Sequence, residues 1–446
     1  MLDQLIIPSP MIVDILLIIV LCMIVVQFRH ARYQRKRIEK VLSDFRTMLL
    51  TNLSHKRLQT LDGSENFKTL STNIVKLLSE KKIRFFKNTL PERIGHLALE
   101  TDLWLKELYL NGHQDYHCGI IVTPESVANP HLLSYWNDCF EFRISLSDWE
   151  ALEALIPEIK SLMSVRHDYG VAYLETATLY DIYKQWADSP PLLNLRKEDQ
   201  EHARQTMREW GMGEHDWFVC FHNREPGYAP HDDEYHTYRN AAIETFFPAM
   251  REVVAQGGWV VRMGDPSMTP LPTMERVIDY AHSAQRTARM DVILCASAKA
   301  FIGNTSGLFI VSTIFGVPVA SVNFAPMSAM QYTFRDISIP KLLYSDKKKR
   351  LLTFQEVLDS PLANYRYASH FEAEHVRVID NTEDEIANLV REMLERSTGS
   401  CEYTEEDENL QKAFFSLIKN GHYGYGSAAR IGRDFLRKHK ELLPAI

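Results

Sequence analysis

Between Trp217 and Phe324, short apolar runs alternate with helical stretches at a spacing that leaves few architectures open. Trp217–Phe221 reads as a strand with no polar side, and a polar loop follows it to Asn240. Ala241–Gln256 is amphipathic and closes on Gly257-Gly258, which predicts a helix. Trp259–Met263 predicts the next strand, ending in Gly264-Asp265-Pro266. Asp291–Ala298 predicts a short helix and Ala300–Gly303 a strand. The turn Gly303-Asn304-Thr305-Ser306-Gly307 opens the helix Leu308–Phe315, and Gly316-Val317-Pro318 feeds the strand Val319–Phe324. Strands joined through helices pair in parallel, so the class is α/β, with a sheet covered on both faces. Sheets of this kind take ligands at the carboxyl ends of their strands.

The preceding region carries the same alternation in weaker form. Ile94–Leu99 reads as a strand broken at Gly95, and Glu100–Leu110 as a helix. Strands are predicted at Cys118–Val122 and Phe140–Ile144, with helices near 131–138 and 148–163. Asp188–Asn194, with two prolines, bridges to a charged helix ending near Trp210. With 446 residues the chain has room for two such domains, at 83–200 and 201–400, and for C-terminal helices at 401–446 that pack back across them.

The N-terminus differs in kind. From Met11 to Phe28 the only charge is Asp14, and counting back to Leu5 gives close to the ~20 residues that cross a bilayer core. Asp3 precedes this run, whereas Arg29, Arg32, Arg35, Lys36, Arg37 and Lys40 follow it. A cleaved signal peptide has the opposite order, so the expectation is a retained single-pass anchor over residues 1–28. The positive-inside bias then puts everything after residue 28 in the cytoplasm, at the inner membrane. Ile38, Val41, Leu42, Phe45, Met48 and Leu49 form one helical stripe in a stalk at 29–82. That stripe suits packing on the body, on a second copy in a homodimer, or on the membrane surface. A net charge of −8 gives no case for nucleic acid. Arg430, Arg433, Arg437, Lys438 and Lys440 predict a basic C-terminal helix, either solvated or touching anionic lipid. The six cysteines form no metal or redox pair.

The candidate chemistry gathers on the strand-end loops. Asn304, Thr305 and Ser306, between Gly303 and Gly307, combine hydroxyls with a helix start, which is a phosphate cradle or an ordinary helix cap. After the first strand of this half come His222 and Arg224; His236, Arg239 and Asn240 precede the next helix; Arg262, Gly264 and Asp265 end the second strand. The planar fork of arginine suits a diphosphate, and three arginines plus a helix start can neutralise a leaving nucleoside diphosphate without a metal. His222, His231 and His236 with Asp232, Asp233 and Glu234 fit no zinc spacing, so no metal and no cofactor is expected. In the first half, Gly95-His96 with Glu100 and Asp102 marks a turn where His96 or Glu100 can serve as general base, Glu100 being equally at home as a helix-start carboxylate.

Several of these stretches, in order, resemble a family of bacterial glycosyltransferases of the GT-B type that act in surface-polysaccharide synthesis. They are residues 93–107, 218–227, 236–250, 257–265 and 300–323, with 380–386 and 429–439 later. The His222-Asn223-Arg224 triplet is also similar to a donor-binding motif of inverting fucosyltransferases. The resemblance covers about residues 83–446 and implies two Rossmann-like domains facing a cleft, the first for the acceptor, with Gly95 on that side, and the second for a nucleotide-sugar donor. It implies that Arg224, Arg239 and the 303–307 turn hold the diphosphate. His96, Glu100 and Glu225 are the catalytic candidates. Thr237 stands where the family has an acidic residue, so no catalytic role is expected there. The expected activity is transfer of a sugar, hexosyl or deoxyhexosyl, to a lipid-linked or surface-glycan acceptor. A nucleotide-sugar 2-epimerase on the same fold and a non-catalytic assembly partner are the alternatives.

Overall fold

The computed structural model describes residues 65–163, 178–227 and 235–444. The expected anchor at 5–28, the stripe at 38–49, and His231, Asp232, Asp233 and Glu234 lie outside the described residues. Among the described residues, no helix is long and apolar enough to cross a membrane.

The chain gathers into two compact units. Of the described residues, the smaller takes 65–85, together with Asp115–Ile121 and 142–163. Strands β1 (Ile83–Lys87), β2 (His117–Ile121) and β3 (Phe142–Ile144) form a sheet in that order, with β2 and β3 parallel. Leu78, Ile83, Phe85, Ile121 and Trp149 make its core, between the helices Glu65–Glu80 and Leu146–Leu155. Ser145 starts the second of these by accepting a hydrogen bond from the Asp148 amide at 3.1 Å.

The larger unit holds the other described residues, including the helices Ile94–Leu110 and Pro130–Cys139. Its sheet contains β4 (Phe218–His222), β5 (Trp259–Arg262), β6 (Val277–Asp279), β7 (Phe301–Gly303), β8 (Val319–Phe324) and β9 (Ile337–Pro340). Leu342–Ser345 (β10), Arg350–Leu351 (β11) and Val376–Ile379 (β12) form a separate antiparallel patch. Arg430–Ile431 (β13) returns to the main sheet, whose order is β13-β9-β8-β7-β4-β5-β6, all parallel. From β4 the chain steps one way through the helix Phe247–Ala255 to β5. From β7 it steps the other way through the helix Leu308–Ile314 to β8. Right-handed crossovers in opposite directions put those helices on opposite faces. The order therefore reverses between β4 and β7, and the crevice at their carboxyl ends is where doubly wound sheets take ligands.

Three local expectations are corrected. Ile94–Leu99 is the start of the helix Ile94–Leu110, not a strand. Gly95, expected to break a strand, lies in the first helical turn, where an added Cβ would crowd Gly307 Cα at 3.1 Å and Ile310 Cδ1 at 3.2 Å. The stretch 241–256 is not one helix. A 3₁₀ turn, Ile243–Phe246, precedes the helix Phe247–Ala255, whose Pro248 has no N–H and is tolerated only in a first turn. The basic C-terminal helix is a strand followed by the short helix Arg433–Lys438, and its cations face carboxylates of the chain. Arg430 pairs with Glu408, Arg433 with Glu395, Arg437 with Asp407, Lys438 with Glu385 and Lys440 with Glu406.

Polar hubs explain why the early helices join the larger unit. Asp199 accepts from His131, Tyr135 and Arg289, tying the helices Pro130–Cys139, Lys197–Glu209 and Ala288–Ser297 together. Asp102 is wholly buried against Lys106 Nζ at 2.6 Å, and Tyr183 of the helix Thr178–Trp186 donates to it at 2.9 Å.

Candidate functional site

The crevice between β4 and β7 is built around Asn304, which is fully buried. Its Oδ1 accepts from the Arg224 amide at 2.8 Å, and its Nδ2 donates to the Arg239 carbonyl at 2.8 Å. One side chain thus fixes the backbone of both arginine-bearing loops. The Ala241 amide adds a clip to the Arg224 carbonyl, and Lys341 Nζ donates to the Asn240 carbonyl. Asn304, expected as a ligand-binding residue, spends its amide on the chain itself. Asn304→Ala would leave a part-buried N–H and a part-buried C=O without this partner, at about 1–3 kcal/mol each as an upper range. A urea titration should find it destabilised by roughly 2–4 kcal/mol, with nucleotide affinity weakened as both loops loosen.

The glycines of the turn are also used internally. A Cβ on Gly303 would lie 2.5 Å from the His222 carbonyl, so glycine here permits the close approach of β7 to β4. A Cβ on Gly307 would lie 2.9 Å from Ile94 Cγ2 and 3.0 Å from the Gly95 nitrogen. The start of the helix Ile94–Leu110 is therefore seated on the turn. Thr305 and Ser306 are half-buried beside that contact.

That seating places His96 one residue from the contact with Gly307. His96 Nδ1 lies 2.7 Å from Glu100 Oε1, one helical turn on. The Thr89 amide and hydroxyl both donate to the Glu100 carboxylate, at 3.0 and 2.6 Å. Asn88 donates to the His96 carbonyl at 2.9 Å. The Glu100 side chain is buried and that of His96 is partly exposed. A carboxylate that already accepts from two donors takes a third from Nδ1–H, which leaves Nε2 with the lone pair. Glu100 is then the residue that orients His96.

Arg262, expected at the diphosphate, is buried instead. Its guanidinium has no exposed surface and donates to Glu225 Oε1 at 3.3 Å, Asp279 Oδ1 at 3.2 Å and the Thr269 carbonyl at 3.1 Å. Glu225, expected as catalytic, is engaged in the same way, accepting from Asn223 Nδ2 at 2.7 Å and the Thr269 amide at 2.7 Å. Burial alone would raise its pKa, but the hydrogen bonds from Thr269 and Asn223 and the charge of Arg262 hold it below the usual carboxylate range. Together they join the loops 223–227 and 263–269 from behind. Gly264 has φ 140°, in the region that favours glycine, and Asp265 accepts from the Ser267 amide at 2.9 Å to close that loop.

His222 is driven to about 4 by burial and by Arg262 and Arg224, so it is neutral near pH 7. Its Nδ1, Oδ1 of Asn223, Oδ1 of Asn240 and Oγ of Ser306 are buried and have no partner among the described residues. Four such atoms at one sheet edge are unusual in a core, where buried polar groups are paired.

Arg366 escaped sequence reasoning. Burial raises the pKa of Tyr238, and the charges of Arg239, Arg366 and Arg224 all oppose that rise; the Arg239 guanidinium lies 5.9 Å from the Tyr238 ring. The Arg366 carbonyl faces His236 Nδ1 at 3.0 Å, and its guanidinium lies 4.0 Å over the Tyr423 ring. It follows Tyr365 in an irregular stretch with no strand-turn-helix punctuation, 127 residues after Arg239, so no local signal marks it.

No family model matches the sequence, and no curated protein matches it. In structure the chain is similar to a family 9 glycosyl transferase from Veillonella parvula, with 13% identity over 54% of this chain and 79% of that one and a TM-score of 0.36. It is similar to the ADP-heptose lipopolysaccharide heptosyltransferase II of E. coli, with 14% identity over 58% and 90% and a TM-score of 0.37. It is also similar to the UDP-GlcNAc 2-epimerase of Methanocaldococcus jannaschii, with 10% identity over 74% and 82% and a TM-score of 0.25.

Proposed function

We propose that the larger unit transfers a glycosyl group from a nucleoside diphosphate sugar to an acceptor hydroxyl. The observation that carries this reading is the contact of Gly95 with Gly307, which sets the His96–Glu100 pair beside the edge where Arg224 and Arg239 are fixed by Asn304. His96 Nε2 takes the proton of the acceptor hydroxyl as its oxygen bonds to the anomeric carbon. The bond from that carbon to the diphosphate oxygen breaks, and the electron pair leaves with the nucleoside diphosphate. Arg224, Arg239 and Arg366 stabilise the charge that develops there, as fixed cations do at low reorganisation cost. His222, neutral and at the strand end, supplies a hydrogen bond rather than a charge. The expected GT-B class belongs to this reading. A lipid-linked or surface-glycan acceptor at the cytoplasmic face of the inner membrane belongs to it too, supported by the sequence of residues 5–40 alone.

The test is calorimetric titration with GDP, UDP, CDP and ADP, followed by incubation of the binding nucleotide's labelled sugars with membranes. Arg224→Ala should weaken nucleotide binding roughly 10- to 100-fold, the loss of one or two charge-assisted hydrogen bonds, and leave the fold intact. Unchanged affinity would remove Arg224 from the site. Turnover of a free sugar nucleotide without any acceptor would replace transfer by epimerisation.

A further inference from the structure

The loop that carries His236 and Arg239 meets the stretch 365–371 through rings. His236 stacks on Tyr367 with centroids 5.8 Å apart and planes 19° apart. Tyr235 and His370 stand edge-on to Tyr367, at 6.3 and 5.3 Å. Behind them Tyr238 and Phe371 are buried and pack at 5.5 Å. Tyr367 is 46% exposed and Tyr235 54% exposed, so this cluster presents ring surface to solvent on a buried aromatic footing. His236 Nδ1 also lies 3.0 Å from the Arg366 carbonyl, a second tie between the two segments. A ring fixed in advance loses little entropy when a flat ligand lies on it.

The cations next to these rings narrow the ligand. Arg366 precedes Tyr367 in the chain and Arg239 follows His236 by three residues. A flat π-surface on two segments that also carry arginines matches a molecule with a planar ring at one end and a diphosphate at the other. A sugar can also lay its C–H face on a ring, but a neutral acceptor carries no charge for arginines to meet.

We infer that the His236–Tyr367 stack is the platform for the nucleobase of the donor, with Tyr235 along its edge and Arg366 reaching from the platform to the diphosphate. This rests on the donor-binding reading above and adds to it the place and manner in which the base is held. Stacking without base-edge donors tolerates every base, so the platform supplies affinity and leaves the choice of base to neighbouring polar groups.

The probes are inorganic pyrophosphate and the nucleoside diphosphates GDP, UDP, CDP and ADP, titrated into the full chain. Wild type should bind at least one nucleotide more tightly than pyrophosphate. Tyr367→Ala should reduce that nucleotide's affinity about tenfold or more, the scale of one lost base stack, and leave pyrophosphate affinity unchanged. Tyr367→Phe should keep wild-type affinity for both, and Tyr367→Leu, which keeps bulk without a ring, should behave as the alanine variant does. Nucleotide affinity unchanged in Tyr367→Ala and Tyr367→Leu, with Arg224→Ala still losing both probes, would overturn the platform and leave the donor site standing. Equal loss of nucleotide and pyrophosphate would overturn it as well, since pyrophosphate has no base. Failure of wild type to bind any probe would remove the donor site and the platform together.

Discussion

Replacing His96 by alanine should lower kcat by about 10²–10⁴-fold, the usual contribution of a positioned general base, with donor affinity changed little. The side chain is 23% exposed and its only described side-chain partner is Glu100, so the fold has little to lose. Glu100→Gln should reduce kcat by a smaller factor. The amide can still accept from Thr89 but holds the wrong partner to His96 Nδ1, so the ring loses its fixed tautomer rather than its presence. Because Glu100 acts through His96, the double variant should be no slower than His96→Ala alone, and that non-additivity separates orientation from bulk destabilisation. Single-turnover rates with saturating donor are the measurement. A kcat within threefold of wild type in His96→Ala would end the case for it as base.

How far the sequence alone could go depended on whether the signal was local. The strands Trp259–Arg262 and Val319–Phe324 were legible because each is a short apolar run punctuated by Gly or Pro, and their parallel pairing followed from the helices between them. The helix start at Ile94 was misread because Gly95 looks like a breaker, and the packing against Gly307 that explains it lies more than 200 residues away. β13 was invisible for a similar reason: two residues at a sheet edge leave no period to detect. At the site, residue types were easier to find than their roles. Asn304 was marked as a candidate, but that its amide joins two backbones 80 and 65 residues away needed coordinates. Arg366 left no trace, since nothing around it resembles a motif. Pairing decided the remaining cases. Among Arg224, Arg239 and Arg262, equal in sequence, only the structure shows that the third is walled in by two carboxylates.

Arg262 is where the two views predict opposite experiments. As a diphosphate ligand it would, when replaced by alanine, weaken donor binding and leave stability alone. As a buried cation between Glu225 and Asp279, its removal strands two carboxylates that fold around it, and breaking such a group costs about 3–5 kcal/mol. Arg262→Ala should therefore unfold at a clearly lower urea midpoint, and any loss of nucleotide affinity should follow the loss of fold. Acidity gives a second, independent signature. In the wild type, His222 is held at about 4 against an ordinary value of 6.5, with burial as the main cause and Arg262 the next. The unfolded chain then binds the proton first, so His222 contributes stability that is complete above pH 6.5 and is lost as pH falls from there toward 4. Without the arginine the folded-state value moves back toward 6.5, and that stretch of the stability curve becomes shallower. Glu225 has the opposite origin and the same sign: its lowered pKa contributes stability above the ordinary carboxylate range that is lost as pH falls through the folded value. With Arg262 gone, that loss in acid should shrink too. Urea midpoints measured between pH 4 and pH 7 for both proteins would show converging curves if Arg262 is the interior cation, and parallel ones if it only meets the ligand.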